Sequence, residues 1–103
     1  MTSMHIDREQ WGGDVLLKVV GRLDTPNAKP FEASLMEVVA QTAGGIIVNL
    51  SGVDYVSSSG LRALLVAGKA MRTGKRKLAL TSLQPQIREV FDISGFSSLF
   101  EIT

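Results

Sequence analysis

The sequence predicts an α/β domain built on a mixed β-sheet of four to five strands with helices packed against it, and three observations carry that expectation. A Gly-Gly pair near the N-terminus separates two strand-like segments, Ile46-Ile47-Val48-Asn49-Leu50 is a short continuous apolar run, and stretches with helical spacing alternate with the later strands. Strands joined through helices favour parallel pairing with right-handed crossovers, whereas a hairpin is antiparallel, so the sheet is expected to be mixed. With 103 residues and 45% hydrophobic content, one core and a single domain spanning residues 1–103 are expected.

Val15-Leu16-Leu17-Lys18-Val19-Val20 is apolar and β-branched, and Gly12-Gly13 offers the turn that pairs it with Met4 to Gln10. After Gly21-Arg22-Leu23-Asp24 and Thr25-Pro26, Asn27 is placed to cap a helix whose first turn tolerates Pro30, because a missing N–H there costs no intrahelical bond. Phe31, Leu35, Val38 and Val39 then recur on one face, with Glu32, Ser34, Glu37 and Gln41 on others, until Gly44-Gly45 ends the pattern. The run Ile46 to Leu50 suits a central strand covered on both faces or nearly so.

A second helical stripe places Leu61, Leu64, Leu65 and Met71 together, with Ser57 to Ser59 just before it and Gly74 as its stop. Lys77 to Thr81 reads as a strand and Gln84-Pro85 as a helix start, with Ile87, Val90 and Phe91 as the apolar stripe. Leu99 to Ile102 completes the chain as an extended piece.

Several chemistries find no support in these residues. His5 is the only histidine and falls in the first strand, so a Ser-His triad has no base, and no Gly-x-Ser-x-Gly turn surrounds the serines. Neither Gly44-Gly45 nor Gly68-Lys69 has the spacing of a phosphate loop. The chain has no cysteine, and Asp7, Glu9 and Asp14 flank a hairpin where solvated carboxylates are ordinary, so no metal site, cofactor or catalytic residue is expected. A net charge of +1 gives no sign of attraction to nucleic acid, and no segment has the roughly 18 to 20 consecutive apolar residues needed to span a bilayer. The N-terminus shows no signal peptide, and a cytoplasmic location is expected. Arg72, Lys75, Arg76 and Lys77 suit a helix C-terminus and an edge protected by lysine better than a nucleic-acid site. Trp11, at the hairpin end, is expected to pack over neighbouring side chains.

The stretch from Ile46 to Leu61, with Leu50-Ser51-Gly52-Val53 and Ser57-Ser58-Ser59-Gly60-Leu61, resembles the STAS-domain signature: an apolar strand, a Leu-Ser-Gly-Val loop, then Asp-Ser-Ser-Gly-Leu opening a helix. Gly21-Arg22-Leu23-Asp24 looks like the Gly-x-Leu-Asp that ends the family's second strand, and the element order matches along essentially the whole chain. The resemblance is to anti-sigma factor antagonists. It implies a non-enzymatic switch that binds an anti-sigma factor with serine kinase activity, releases a sigma factor, and is turned off by phosphorylation and reset by a phosphatase. The matching phosphoacceptor is Ser58, with Ser57 and Ser59 as alternates, and Ser57 stands where the family usually has Asp. The resemblance also admits a non-catalytic subunit of a larger signalling or lipid-transport ATPase complex. Some family members are linked to nucleotides, but no phosphate-cradling sequence occurs here.

Serines ahead of a helix satisfy its open N–H groups, which accounts for one of the three but not for all. A phosphate there meets free N–H groups and the positive end of the helix dipole, so the fold should tolerate it and the switch must act by spoiling a surface. By the resemblance, that partner-binding surface comprises Asp24, Ser57, Ser58, Ser59, Gly60, Leu61, Arg62, Val66 and Lys69. The plainer readings are a cap or turn for Asp24 and solvated helix positions for Arg62 and Lys69.

Overall fold

The computed structural model describes residues 4–98 and 100–103. β1 (His5–Trp11) and β2 (Asp14–Leu23) form an antiparallel hairpin in which Trp11 faces Asp14. Gly12 makes the turn at φ 61°, a left-handed conformation that costs glycine nothing. Trp11 is 54% exposed, contrary to the expectation that it packs down. Its cross-strand partner Asp14 is short and itself exposed, so it offers the indole little to pack against.

β2 continues to Leu23 and pairs in parallel with β3 (Ile46–Val56), with register shifts between Lys18 and Val20 and between Gly21 and Arg22. β4 (Leu78–Thr81) and the two-residue β5 (Glu101–Ile102) extend the parallel part, giving the order β1-β2-β3-β4-β5. β3 is central, as its apolar run implies. It does not end at Leu50, however, and Ser51-Gly52-Val53 is strand rather than loop. The shifted pairing with β2 lets the ladder continue past the polar residues. Leu99, placed by the sequence in the terminal extended piece, lies outside the described residues.

α1 (Thr25–Gln41) and α2 (Ser58–Thr73) pack side by side over β2 and β3, while α3 (Pro85–Ser94) lies against β3 and a short 3₁₀ turn at Phe96–Ser98. The expected stripe of α1 is buried as Phe31, Leu35, Val38 and Val39. Its cap differs: Asp24 accepts from the Asn27 N–H at 3.1 Å, and Asn27 instead donates its side-chain amide to the Arg22 carbonyl at 2.8 Å. Starting the helix three residues earlier puts Pro30 inside it, beyond the first turn. The carbonyl left without a partner belongs to Pro26, which like Pro30 is exposed, so solvent can take the bond that proline removes.

In α2, Leu61, Leu64 and Met71 are buried and Leu65 is half-buried; in α3, Ile87 and Phe91 are buried but Val90 is 37% exposed. The α3 stripe is therefore narrower than its sequence suggests. Phe91 meets Phe100 edge-on with ring centroids 6.1 Å apart, joining α3 to the residue that leads into β5. Leu17, Leu23, Phe31, Leu50, Leu64, Leu80 and Phe91 are essentially solvent-free, each contributing about 1.5–3 kcal/mol by removing apolar surface from water.

The basic group after α2 includes a structural clamp. Arg76 directs its guanidinium at the carbonyls of Val39 (3.2 Å) and Thr42, satisfying acceptors that the C-terminus of α1 leaves open. Lys77 sits 3.7 Å from Glu101 on β5.

Candidate functional site

β2 and β3 run in the same direction and end together, with Leu23 opposite Val56, so the N-termini of α1 and α2 emerge beside one another. Crevices at the carboxyl ends of parallel strands are the usual place for sites in such sheets. Leu23 is the joint between the two helix starts. Its carbonyl accepts from both the backbone N–H (2.8 Å) and the hydroxyl (3.1 Å) of Ser57, while the next residue, Asp24, caps α1.

Ser57 is the N-cap of α2, its oxygen accepting from the Gly60 N–H at 3.1 Å. One of the three serines is thus the structural cap, and its hydroxyl is engaged on both sides. Ser58 and Ser59 do not precede the helix but form its first two positions. Ser58 is exposed and Ser59 half-buried, and among the described residues neither side chain makes a hydrogen bond. The backbone N–H groups of Ser58 and Ser59 are also without acceptors among the described residues, because the intrahelical series begins with Leu61 donating to the Ser57 carbonyl.

Gly60 and Leu61 are buried and support the surface from beneath. A Cβ on Gly60 would stand 2.7 Å from both Cγ and the carbonyl oxygen of Leu23, so only glycine lets α2 approach β2 this closely. At 3.6 residues per turn, positions 58, 62, 66 and 69 fall within an arc of about 80° and span about 16 Å. Ser58, Arg62, Val66 and Lys69 accordingly form one exposed stripe running from the serine loop down α2.

Asp24 stands at the other side of the loop. Besides capping α1, its carboxylate lies 3.8 Å from Arg22 Nε, and the Arg22 guanidinium rests 4.4 Å above the Tyr55 ring. The plainer reading of Asp24 as a cap is what the geometry displays. Arg22 and Tyr55 were not singled out from the sequence, and Asn27 was expected only as the helix cap. Their association depends on the shifted register that sets Arg22 opposite Tyr55, for which the linear pattern carries no signal.

Among the described residues no group of three His, Cys, Asp or Glu side chains is placed to hold a metal ion, and no helix is long and apolar enough to cross a membrane. His5 lies on exposed β1 beside Asp7, in a different element from the serine loop. The arrangement supplies an ordered loop, open backbone donors and a projecting helix face.

The family model for the STAS domain matches residues 5–103. BtrV of Bordetella bronchiseptica, assigned as an anti-sigma factor antagonist, is 34% identical over 99 residues, covering 96% of this chain and 85% of that protein. The anti-sigma factor antagonist SpoIIAA in its unphosphorylated form superposes with a TM-score of 0.81 at 22% identity, over 96% of this chain and 88% of that one. The phosphorylated form of the Bacillus SpoIIAA superposes with a TM-score of 0.74 at 21% identity, over 96% and 91% of the two chains. The two solved structures share the fold.

Proposed function

This chain belongs to the STAS-domain family, and on that premise we propose that it is a cytoplasmic anti-sigma factor antagonist whose binding is controlled by phosphorylation of Ser58. It works by occupying an anti-sigma factor with serine kinase activity, so that a sigma factor is released, and it performs no catalysis of its own. A phosphatase restores the binding form. The general role rests on BtrV and SpoIIAA, both described as anti-sigma factor antagonists, and the existence of SpoIIAA in unphosphorylated and phosphorylated forms supports the switch.

The observation that carries the choice of residue is the division of labour among the serines. Ser57 holds Leu23 and Gly60 together through its hydroxyl, whereas Ser58 presents a free, exposed hydroxyl at the head of the α2 stripe. A phosphate on Ser58 would carry about −1.5 to −2 charges next to open N–H groups at a helix N-terminus, where anions are favoured. The folded state should accept it. The partner would not, because a charge introduced into a desolvated interface without a counter-charge is costly.

Titration calorimetry of each anti-sigma factor kinase of the host against wild type, Ser58→Ala and Ser58→Asp tests the reading. Binding retained by Ser58→Ala and lost, by at least about tenfold, in Ser58→Asp is expected. Equal affinity for all three forms would remove Ser58 from the switch.

A further inference from the structure

The sign of charge on α2 identifies the chemistry of what binds there, an inference that rests on the antagonist reading. α2 carries Arg62, Lys69 and Arg72 and no acidic residue, and the acid-free stretch of sequence runs from Tyr55 to Arg88. On the exposed stripe, Arg62 and Lys69 flank Val66, which is 36% exposed, and neither cation has an ion-pair or hydrogen-bond partner among the described residues. Several cations elsewhere are matched, Arg22 with Asp24, Lys77 with Glu101, Arg88 with Asp92 and Arg8 with the Gln41 side chain, so what sets the α2 stripe apart is the absence of any acid on the helix rather than the two open cations alone. Asp24, the one acid of the candidate surface, is already committed to the Asn27 N–H and Arg22.

We infer that the α2 stripe docks an acidic surface of the anti-sigma factor, with Arg62 as the residue through which a phosphate on Ser58 is read. Residues four apart on a helix have Cβ atoms about 5–6 Å apart, so a phosphate on Ser58 lies within reach of the Arg62 guanidinium. Its charge of about −1.5 to −2 offsets the stripe's two open cations, so an acidic partner loses the attraction it had, and its carboxylates beside the phosphate are repelled. The switch on this face is a loss of local positive charge, accomplished without any change of fold.

Calorimetry at several salt concentrations, using the host anti-sigma factor that binds wild type, tests this. Affinity should fall as salt rises, and Arg62→Gln and Lys69→Gln should each weaken binding by roughly tenfold while Arg62→Lys loses much less. In the Ser58→Asp background, Arg62→Gln should cost little more, because the charge it removes is already neutralised. Binding that ignores salt and both glutamine variants overturns the inference while leaving the antagonist reading intact. Binding abolished by Asp24→Asn but not by Arg62→Gln also overturns it, since the partner surface would then be basic. If no host anti-sigma factor binds wild type at any salt concentration, the underlying reading falls, and this inference with it.

Discussion

Ser57 donates twice to the carbonyl of Leu23, from its backbone at 2.8 Å and from its hydroxyl at 3.1 Å, while its oxygen accepts from Gly60. One residue thereby ties the end of β2 to the start of α2. Ser57→Ala removes the cap and the hydroxyl bond together and is expected to destabilise the domain by about 1–2 kcal/mol. Ser57→Asp keeps the cap but loses the donor to Leu23, so its cost should be smaller than that of alanine. Urea denaturation of the three proteins checks the order.

Gly60→Ala sets two effects against each other. Alanine favours a helix interior over glycine by about 0.8–1 kcal/mol, but its Cβ would lie 2.7 Å from Leu23 Cγ and from the Leu23 carbonyl oxygen. Overpacking of this kind costs about 1–3 kcal/mol, and since one of the clashing atoms is backbone, sterics should win. The melting temperature is expected to fall, with amide shifts concentrated at Leu23, Asp24 and the serine loop in a heteronuclear spectrum.

Arg76 should matter for stability although the sequence shows it only as one of several cations. Its fork reaches the Val39 and Thr42 carbonyls at the end of α1, a geometry that a lysine ammonium cannot reproduce. Arg76→Ala is expected to destabilise by about 1–3 kcal/mol, with Arg76→Lys recovering less than half. Faster hydrogen exchange confined to the last turn of α1 in the lysine variant would identify the clamp as the cause.

Much of this was legible because periodicity and glycine placement act locally. The buried stripe of Phe31, Leu35, Val38 and Val39, the Gly12-Gly13 hairpin and the Gly74 stop depend on neighbours in the chain. The misread features depend on distant pairing. β3 continues through Ser51-Gly52 because β2 shifts register beside it, and α1 starts at Thr25 because Asp24 is the cap and Asn27 turns back to Arg22. Ser57 could be foreseen as one cap among three candidates, but its bond to Leu23, 34 residues earlier, required the parallel sheet.

Ser58→Asp should leave the fold intact. Ser58 is exposed at the first position of α2, and a carboxylate there interacts favourably with the helix dipole, worth about 0.3–1 kcal/mol at low ionic strength. Equal or slightly greater stability in urea, combined with loss of partner binding, would separate a surface switch from an unfolding one.

The most direct test is intact mass and phosphosite mapping after incubation with ATP and each anti-sigma factor kinase of the host, comparing wild type with Ser58→Ala. A single added phosphate on wild type, absent from Ser58→Ala and mapped to Ser58, is the expected result. Phosphate retained by Ser58→Ala, or no phosphate on wild type with any of the kinases, would contradict a switch centred on Ser58.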